Sequence, residues 1–330
     1  MISNQWYVVL ESGEVKHNQP VGMTRLVEKL VFWRDSSGKV NCLRDFCPHR
    51  GAALSIGRVI GDLLECPFHG IQYDSTGQCF LVPSRGKDAP FSKQIKASGY
   101  PTYEANGFIY IWWGEQQVDS APPAFFPDLG SMSFITIKVP WKAHYSRAIE
   151  NQLDVAHLPF VHYNTIGRGG RTLVDGPMVE WLGEDRFRVY VFNRLDDGTP
   201  PRKSQELIRP DSPFYLEFVF PNLWQNHLSS NACIVLAFVP VDDENTLMYL
   251  RFYQRIVTLP LLRKLVNILS VPFNLRILRQ DQAVVETQFP KSSQLRMGEK
   301  LVQADLPIVE YRKRRQGLIE GASLTIHEAR

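Results

Sequence analysis

From Trp6 to Trp113 the chain alternates short apolar runs with turn residues. Valine, isoleucine and aromatic residues cluster in VFWRDSSGKVNCL, YDSTGQCFLVP and GFIYIWWG, and Asp, Ser and Gly separate the clusters. β-branched and aromatic residues between such turns are typical of short antiparallel strands. The pattern therefore predicts a small N-terminal all-β domain.

The second half of the chain predicts an antiparallel sheet packed with helices. Strand-like runs such as FRVYVFNRL, YLEFVFPNLW, CIVLAFVPV and TLMYLRFYQRI follow a helical stretch at about 144–158, and a helical tail covers about 259–289. The Pro-, Ser- and acid-rich segment 114–133 has no periodicity and predicts a connection. The expected fold class is α+β, with domains at 1–120 and 121–330.

Composition excludes several classes of protein. The 330 residues are 44% apolar and 22% charged, and the net charge is only +3, so nucleic-acid binding is not expected. Charges and a proline interrupt the apolar stretch 256–278, which predicts a buried or amphipathic helix and no membrane span. Five scattered cysteines favour a reducing compartment, and MISNQWYVVL lacks the features of a signal peptide, so the expected location is the cytoplasm.

Two nearly identical pentapeptides carry the first candidate site. CPHRG at 47–51 and CPFHG at 66–70 supply Cys47, His49, Cys66 and His69, one cysteine and one histidine from each segment. Two thiolates and two imidazoles can hold a tetrahedral zinc, or a [2Fe-2S] cluster with two cysteines on one iron and two histidines on the other. Zinc fingers usually segregate the two ligand types, so the alternation favours the cluster.

At these residues the sequence resembles the Rieske iron–sulfur domains. Rieske proteins of respiratory chains carry an additional disulfide-forming cysteine in each segment, and Ala52 and Phe68 occupy those positions here. The resemblance therefore points to the oxygenase and ferredoxin type. For Cys42, Cys79 and Cys233 the expected role is buried packing.

A second motif lies in ENQLDVAHLPFVH at 150–162. If this segment is helical as far as Pro159, then Asn151, Asp154 and His157 share one face, and His162 follows the break. The segment resembles the N-x2-D-x2-H-x4-H motif of the Rieske non-haem iron oxygenases. That resemblance implies a mononuclear iron held by His157, His162 and a later carboxylate, with open positions for O2 and substrate.

The resemblance also implies the third iron ligand and the electron path. Asp281 in RQDQAVVETQFP matches the family's iron-binding aspartate, and Glu286 is the alternative. Asp154 matches an aspartate that links the iron site to the cluster of a neighbouring subunit, which implies a ring of subunits, typically a homotrimer. Alternatively, Asp154 only orients His157. Asn151 is expected close to the site without being a ligand.

Other candidates depend on residue type alone. Aromatic and amide groups suit an organic ligand, and the residues predicted for the substrate pocket are Phe160, Trp224, Asn226 and His227, although core packing would explain them equally. The run Tyr311-Arg312-Lys313-Arg314-Arg315 predicts either a solvated charged face or a docking surface for an acidic electron donor.

The resemblance extends from Trp6 to about Phe289 and is strongest to the short homotrimeric oxygenases related to pheophorbide a oxygenase, vanillate and dicamba demethylases and the saxitoxin-pathway hydroxylases. It implies a monooxygenase that receives electrons from a ferredoxin or a flavin-dependent reductase and hydroxylates or demethylates a small, ring-containing substrate with O2. Three alternatives stay open at this point: a cis-dihydroxylating dioxygenase, an electron carrier without substrate chemistry, and a zinc-stabilised binding module.

Overall fold

The computed structural model describes residues 1–87, 94–114, 118, 122–127 and 129–328, with side chains described as far as residue 321. The chain separates into two compact units, formed chiefly by Ser3–Pro122 and by Pro123–Phe238 with Asp243–Arg330. Residue 120, the predicted domain boundary, lies outside the described residues. The domain limits 1–120 and 121–330 therefore stay a prediction.

The first unit is built from short antiparallel strands, as the alternating pattern predicts. Within the described residues they are β1 (Gln5–Glu11), β2 (Val21–Arg25), β3 (Glu28–Arg34), β4 (Val40–Arg44), β5 (Arg58–Ile60), β6 (Leu63–Glu65), β7 (Gln72–Tyr73), β8 (Cys79–Leu81), β9 (Gly99–Tyr100), β10 (Thr102–Ala105) and β11 (Phe108–Trp113). They pair into three sheets, in the orders β1-β11-β10, β2-β3-β4-β9 and β5-β6-β7-β8.

Two apolar cores support these sheets. The first includes Tyr7, Phe32 and Ile111, which are fully buried. The second includes Trp33, Tyr73 and the two pentapeptide cysteines, Cys47 and Cys66. The segments that carry the candidate cluster ligands are thus anchored by their cysteines in the core, and their remaining residues lie towards the surface.

The second unit contains a seven-stranded antiparallel sheet with helices. Its strands are β12 (Ser133–Trp141), β13 (Leu173–Trp181), β14 (Arg186–Arg194), β15 (Tyr215–Val219), β16 (Leu223–Ser229), β17 (Ala232–Pro240) and β18 (Thr246–Gln254), in the order β12-β18-β17-β16-β15-β14-β13. Its α-helices are α1 (Tyr145–Leu153), α2 (Leu158–Val161), α3 (Pro260–Val285) and α4 (Leu306–Glu328).

Single 3-10 turns occur in the described residues of both units. They cover Ser12–Glu14, Leu54–Ile56, Pro83–Arg85, Leu129–Ser131, Ser204–Glu206 and Gln303–Asp305.

The architecture confirms the α+β prediction, an all-β unit followed by an antiparallel sheet with helices. The single helix expected at 144–158 is wrong in detail. α1 ends at Leu153, and Asp154 leaves the helical conformation with φ −72° and ψ 121°. Asn151, Asp154 and His157 therefore do not share one helix face.

The basic run at 311–315 is also different from its prediction. Tyr311 and Arg312 are buried, and the Arg312 guanidinium donates to Glu150 Oε1 and Oε2 at 2.7 and 2.8 Å. Arg314 bonds Glu184, and Lys313 pairs with Glu310. Arg312 and Arg314 attach α4 to the rest of the unit, and the buried Arg312 guanidinium is stable because its donors are paired, whereas the Lys313 pair lies within α4. The run is therefore not a uniformly solvated face, because only Lys313 among its residues is exposed, and docking of an acidic electron donor stays a prediction.

The apolar stretch 256–278 forms the first two thirds of α3 and the segment before it, but many of its aliphatic side chains are exposed. The stretch is helical from Pro260, as expected, but it is not buried, so only the expectation of burial is wrong. No described helix has an apolar stretch of the length and low charge that crossing a bilayer requires.

Candidate metal centres and cavity

The two pentapeptides form matching turns. The N–H of the glycine donates to the carbonyl of the cysteine in each, at 2.8 Å from Gly51 to Cys47 and 3.1 Å from Gly70 to Cys66. Both glycines have a positive φ, +75° and +69°, which residues with a Cβ rarely adopt. The repeated glycine is therefore required by the backbone of the turn itself.

The two turns bury their cysteines and expose their histidines. Cys47 and Cys66 are 1% and 2% exposed, whereas His49 and His69 lie at the surface with ring centroids 4.7 Å apart. Among the described residues, these four do not form a group with all ligand atoms within 4.8 Å, as the ligands of one tetrahedral zinc would. The donor set fits a two-iron cluster, which would take two cysteine thiolates and two histidine imidazoles as its ligands.

The chemistry of the buried thiols also fits a bound cation. Burial raises the pKa of the Cys66 thiol and the neighbouring Cys47 thiol raises it further, while the backbone N–H groups of Phe68 and His69 oppose this shift. Two buried thiolates repel each other unless a cation lies between them. The hydroxyl of Tyr73 lies 3.1 Å from Cys47 Sγ, a contact that no motif in the sequence indicates.

The second group of ligands is built around the one-turn helix α2. His157 directly precedes α2 and His162 directly follows it, and their ring centroids are 5.2 Å apart. A single helical turn brings the chain back to the same side, so that both rings face α3. Asp281 of α3 lies there, with Oδ1 3.0 Å from Nε2 of His162 and 3.5 Å from Nε2 of His157.

These three side chains have the geometry of ligands to one ion. One ligand atom from each side chain lies within 4.8 Å of the other two, and Asp281 Oδ1 is buried without a well-formed hydrogen bond. Neighbouring ligands at about 2.1 Å from an octahedral ion are about 3 Å apart. Two imidazoles and one carboxylate therefore fit a metal that keeps other coordination positions open.

Glu286, the alternative carboxylate, lies at the end of α3 and has other partners. Its Oε1 accepts hydrogen bonds from the backbone N–H of Lys142 at 2.8 Å and from Gln282 Nε2 at 2.7 Å. Asp281 instead contacts both histidines, and Gln152 Nε2 donates to its Oδ2 at 3.3 Å. Of the two carboxylates, only Asp281 is beside His157 and His162.

Gln280 orients the ring of His162. Its Oε1 lies 3.1 Å from His162 Nδ1 and accepts from Thr165 Oγ1 at 2.9 Å, while its Nε2 donates to Asn164 Oδ1 at 2.9 Å. Because Gln280 Oε1 is an acceptor, Nδ1 of His162 carries the proton and Nε2 offers its lone pair towards Asp281. Burial lowers the pKa of His162, but Asp281 and Gln280 outweigh this effect and raise it.

Asp154 connects the backbone before α2 to His157. Its Oδ1 accepts from the backbone N–H of Ala156 at 2.7 Å and of His157 at 3.2 Å, and lies 3.8 Å from His157 Nδ1. Burial would raise the pKa of Asp154, but the His157 imidazole and these N–H groups lower it. Nδ1 of His157 is buried without a hydrogen-bond partner. Asn151 lies beside them, on the wall of a smaller cavity of about 210 Å³.

A mainly apolar cavity of about 300 Å³ reaches the three converging ligands. The sheet supplies aliphatic and aromatic walls, and α3 supplies another. The ionisable groups among the described lining residues are His157, His162, Asp154 and Asp281, with no lysine or arginine. Trp224 Nε1 and Asn226 Oδ1 are buried without partners, and both residues line the cavity.

Two of the four predicted pocket residues lie elsewhere. Trp224 and Asn226 line the cavity, but Phe160 is 65% exposed and His227 stacks on Tyr215 at 4.6 Å between ring centroids. On strand β16, Trp224 and Asn226 point to one side and His227 to the other, because side chains alternate along a strand. Phe160 lies within α2, whose histidines are at its two ends. Phe160 and His227 therefore do not line this cavity, and a contact of either residue with a substrate stays a prediction.

Comparisons with known protein families match both units. Residues 5–103 match the family described as the Rieske [2Fe-2S] domain. Residues 141–321 match the vanillate O-demethylase oxygenase C-terminal domain. The second match covers more than half of the chain, and the two matches follow each other in the order of the two units.

Known relatives extend these matches. The dicamba O-demethylase oxygenase component of Stenotrophomonas maltophilia is 31% identical over 251 residues, covering 74% of this chain and 69% of that protein. Chlorophyllide a oxygenase of Chlamydomonas reinhardtii is 34% identical over 169 residues, but these cover only 51% of this chain and 26% of that protein. This chain thus spans a limited part of the chloroplast relative.

Solved structures resemble the whole chain. NdmA of Pseudomonas putida CBB5, solved with caffeine, has a TM-score of 0.76 and 26% identity over 96% of this chain and 91% of that chain. Dicamba monooxygenase bound to dicamba has a TM-score of 0.71 at 17% identity, which supports the fold alone.

Proposed function

This chain belongs to the Rieske non-haem iron oxygenases with a vanillate O-demethylase type catalytic domain, and from that premise we propose that it hydroxylates or oxidatively demethylates a small organic molecule. The observation that carries the proposal is the convergence of His157, His162 and Asp281 at one end of an apolar cavity. Both cofactors of the family have a fitting donor set on this chain, since the paired turns offer two thiols and two imidazoles.

In the proposed mechanism, Cys47, His49, Cys66 and His69 hold the [2Fe-2S] cluster, and His157, His162 and Asp281 hold iron(II). When bound, the cluster would supply single electrons and the iron would activate O2 beside the substrate. The contribution of the protein is to orient these groups. Gln280 keeps the Nε2 lone pair of His162 turned towards the site, and Asp154 fixes the backbone of His157.

The cavity supports a neutral, largely apolar substrate of about one or two rings. Its volume of about 300 Å³ lies at the lower end of the range for small-molecule sites. A buried carboxylate substrate would need a cationic partner, and the described lining has no lysine or arginine. Trp224 Nε1 and Asn226 Oδ1 could pair with one polar group of the substrate.

We propose a monooxygenase rather than a dioxygenase, because the dicamba relative is named as a demethylase. A 3-chlorobenzoate-3,4-dioxygenase subunit of Comamonas testosteroni, 26% identical over 261 residues, supports cis-dihydroxylation as the second candidate. Electrons would come from a ferredoxin or a flavin-dependent reductase. Asp154 would connect the iron site of one subunit to the cluster of the next in a homotrimer. The cytoplasmic location stays a prediction.

Isotopic oxygen and one histidine variant test the proposal. With a surrogate reductase and 18O2, we expect each turnover to place one labelled atom in the hydroxylated product or, in a demethylation, in the formaldehyde that is released, while the second atom leaves as water. In His157→Ala we expect turnover to fall at least about a hundredfold because an iron ligand is lost, while the visible absorption of the cluster is retained.

His227→Ala is the matched control, because this histidine belongs to the same unit but lies outside the cavity. We expect the control to keep its turnover and its cluster. Two labelled atoms in the product would contradict the monooxygenase, and unchanged electron-transfer and substrate chemistry in His157→Ala would contradict the whole proposal.

A further inference from the structure

The first half of α3 exposes its aliphatic side chains and buries its amides. Leu261, Leu265 and Leu269 follow one another at a spacing of four residues and are 81%, 50% and 67% exposed. On the inner side, Asn267 and Asn274 are buried. A helix on the surface of a water-soluble unit normally shows the opposite distribution.

Hydrogen bonds fix this orientation of the helix. Asn267 Oδ1 accepts from Gln254 Nε2 of β18 at 2.9 Å, and Asn267 Nδ2 lies 3.3 Å from Ser133 Oγ of β12. Asn274 Nδ2 donates to the carbonyl of Ser270 at 3.0 Å. Turning the leucines inward would break the bonds of Asn267 to β18 and β12, whereas the Asn274 bond lies within α3, so Asn267 makes the apolar outer side a stable property of the fold.

The exposed apolar residues are continuous with the segment before the helix. Ile256, Leu259, Leu261, Leu265, Leu269 and Phe273 are each at least half exposed, and we call these six residues the α3 surface. Single exposed leucines are normal, but a contiguous apolar group of this kind indicates a binding surface.

The charged side chains within the α3 segment have one sign. Residues 255–280 contain Arg255, Arg263, Lys264, Arg276 and Arg279 and no aspartate or glutamate. Among the described residues, Lys264, Arg276 and Arg279 make no ion pair, and Lys264 and Arg276 are exposed. Leucine-rich helices with flanking cations and no acids are typical of segments that lie in the interface of a bilayer with anionic lipids.

We propose that the α3 surface docks on an anionic lipid bilayer, with α3 lying in the plane of the membrane surface. Its leucines enter the boundary between headgroups and acyl chains, and the cations Lys264 and Arg276 contact lipid phosphates. Protein interfaces are instead enriched in aromatic residues and methionine at their centre, and five of the six residues of the α3 surface are leucine or isoleucine.

One residue of the α3 surface also belongs to the cavity. Phe273 is 52% exposed and lines the apolar cavity together with Ser270 and Asn274 of the same helix. Docking therefore brings one wall of the cavity next to lipid, and an apolar molecule dissolved in the membrane could reach it without crossing bulk water. This last step alone rests on the proposed function.

Vesicle binding tests the docking without any measurement of turnover. The full chain with its cluster is floated with vesicles of phosphatidylcholine alone and with vesicles in which a third of the lipid is phosphatidylglycerol. We expect binding to the anionic vesicles at low salt and weaker binding at high salt, because the headgroup attraction is screened.

Two variants separate the apolar and the ionic contributions. In L261Q/L265Q/L269Q we expect affinity for anionic vesicles to fall at least about tenfold, because three aliphatic side chains no longer enter the lipid. In K264Q/R276Q we expect a loss of about fivefold for each charge. The controls L195Q/I208Q and R171Q/K203Q change exposed residues of the same types elsewhere in the unit and should bind as the unchanged protein does.

Cluster absorption and circular dichroism confirm that each variant is folded. Absent vesicle binding, or equal binding by the leucine variant and its control, overturns the proposal. The proposal is also overturned if the leucine substitutions change the oligomeric mass and the unchanged protein does not bind vesicles. The α3 surface would then be an interface between copies of this chain. A third contradicting outcome is that the leucine variant no longer binds a purified acidic electron donor and the unchanged protein does not bind vesicles. The α3 surface would then be a binding surface for a protein.

Discussion

Gln280 acts on the proposed iron site through His162, whose ring it orients. It has no place among the three converging ligands, yet its amide determines which nitrogen of His162 carries the proton. A glutamine beside an aspartate has no distinctive signal in one sequence. Its orienting role is indicated only by its contacts to Asn164, Thr165 and His162 taken together.

Removing the amide of Gln280 should loosen the iron site without affecting the cluster. In Gln280→Leu we expect iron affinity to fall about ten- to a hundredfold, because His162 loses the acceptor that holds its ring. Iron content after dialysis against a weak chelator measures the effect. Gln282→Leu, which removes bonds to Pro140 and Glu286 only, is the matched control. Equal iron retention in the two variants would argue against the orienting role.

Tyr73 offers a corresponding test at the cluster. Its hydroxyl lies 3.1 Å from Cys47 Sγ and would be the donor when that sulfur is a thiolate ligand, and such a bond would stabilise the more negative, reduced cluster. In Tyr73→Phe we expect the reduction potential to fall by roughly 40 mV, corresponding to about 1 kcal/mol for one electron. Spectroscopic redox titration measures the shift. An unchanged potential with an intact visible spectrum would show that the hydroxyl does not interact with the ligating sulfur.

At the scale of elements, α1 begins with an unusual cap. His144 precedes α1, and its Nδ1 accepts from the backbone N–H of Ser146 at 3.3 Å. Burial, together with Arg315 and Arg147, lowers the pKa of His144 from 6.5 to about 3. The side chain therefore stays neutral in the folded protein and keeps its acceptor lone pair, which caps the helix that leads to Asp154.

This cap should make stability depend on pH. Below about pH 6.5 the unfolded chain protonates His144 and the folded chain does not, so the free energy of unfolding falls as pH falls towards 3. The decrease from pH 6.5 to pH 5 should be about 2 kcal/mol for this residue. Urea unfolding at several pH values measures it. His144→Asn keeps a capping acceptor that does not titrate, and an equal pH slope in this variant would contradict the assignment.

The sequence predicted the elements that carry spaced, chemically distinctive residues. The alternating N-terminal strands, the order of the two units and the positions of both histidines around Pro159 followed from spacing and residue type. The end of α1 did not, because Asp154 can continue a helix or accept the N–H groups of Ala156 and His157 beyond its end. Only the tertiary environment, including Asn193 Nδ2 bonded to the carbonyl of Val155, selects the second arrangement.

The cavity and α3 show why the remaining features could not be predicted. Trp224 and Asn226 were recognisable as pocket residues by type, but the aliphatic walls come from strands far apart in the sequence. An apolar run such as 256–278 predicts burial by default. It is exposed here because Asn267 satisfies its amide with Gln254 and so determines which side of α3 faces the sheet.

At the scale of the whole molecule, electron transfer between subunits is the main expectation of the proposed trimer. Cys47→Ser chains would lack the cluster and His157→Ala chains would lack iron, so neither should turn over alone. We expect assemblies that contain both chains to recover part of the activity, because an intact cluster in one subunit can supply an intact iron site in the next. Co-expression with two affinity tags and a turnover assay measures this.

Mixing the two variants after separate purification, under conditions in which subunits do not exchange, is the control. We expect no activity in that mixture. Equally inactive co-expressed assemblies of confirmed mixed composition would indicate that each electron stays within one chain.

The orientation of the paired turns has a further consequence. Cys47 and Cys66 are buried in the core of the first unit. Of the four proposed cluster ligands, only His49 and His69 have their side chains at the surface, and their imidazoles form an exposed edge. In the proposed trimer, Asp154 of the next subunit would face this exposed edge permanently. A reductase would then have to pass its electron into the first unit from another part of the surface, so that electrons would enter and leave the cluster along different paths.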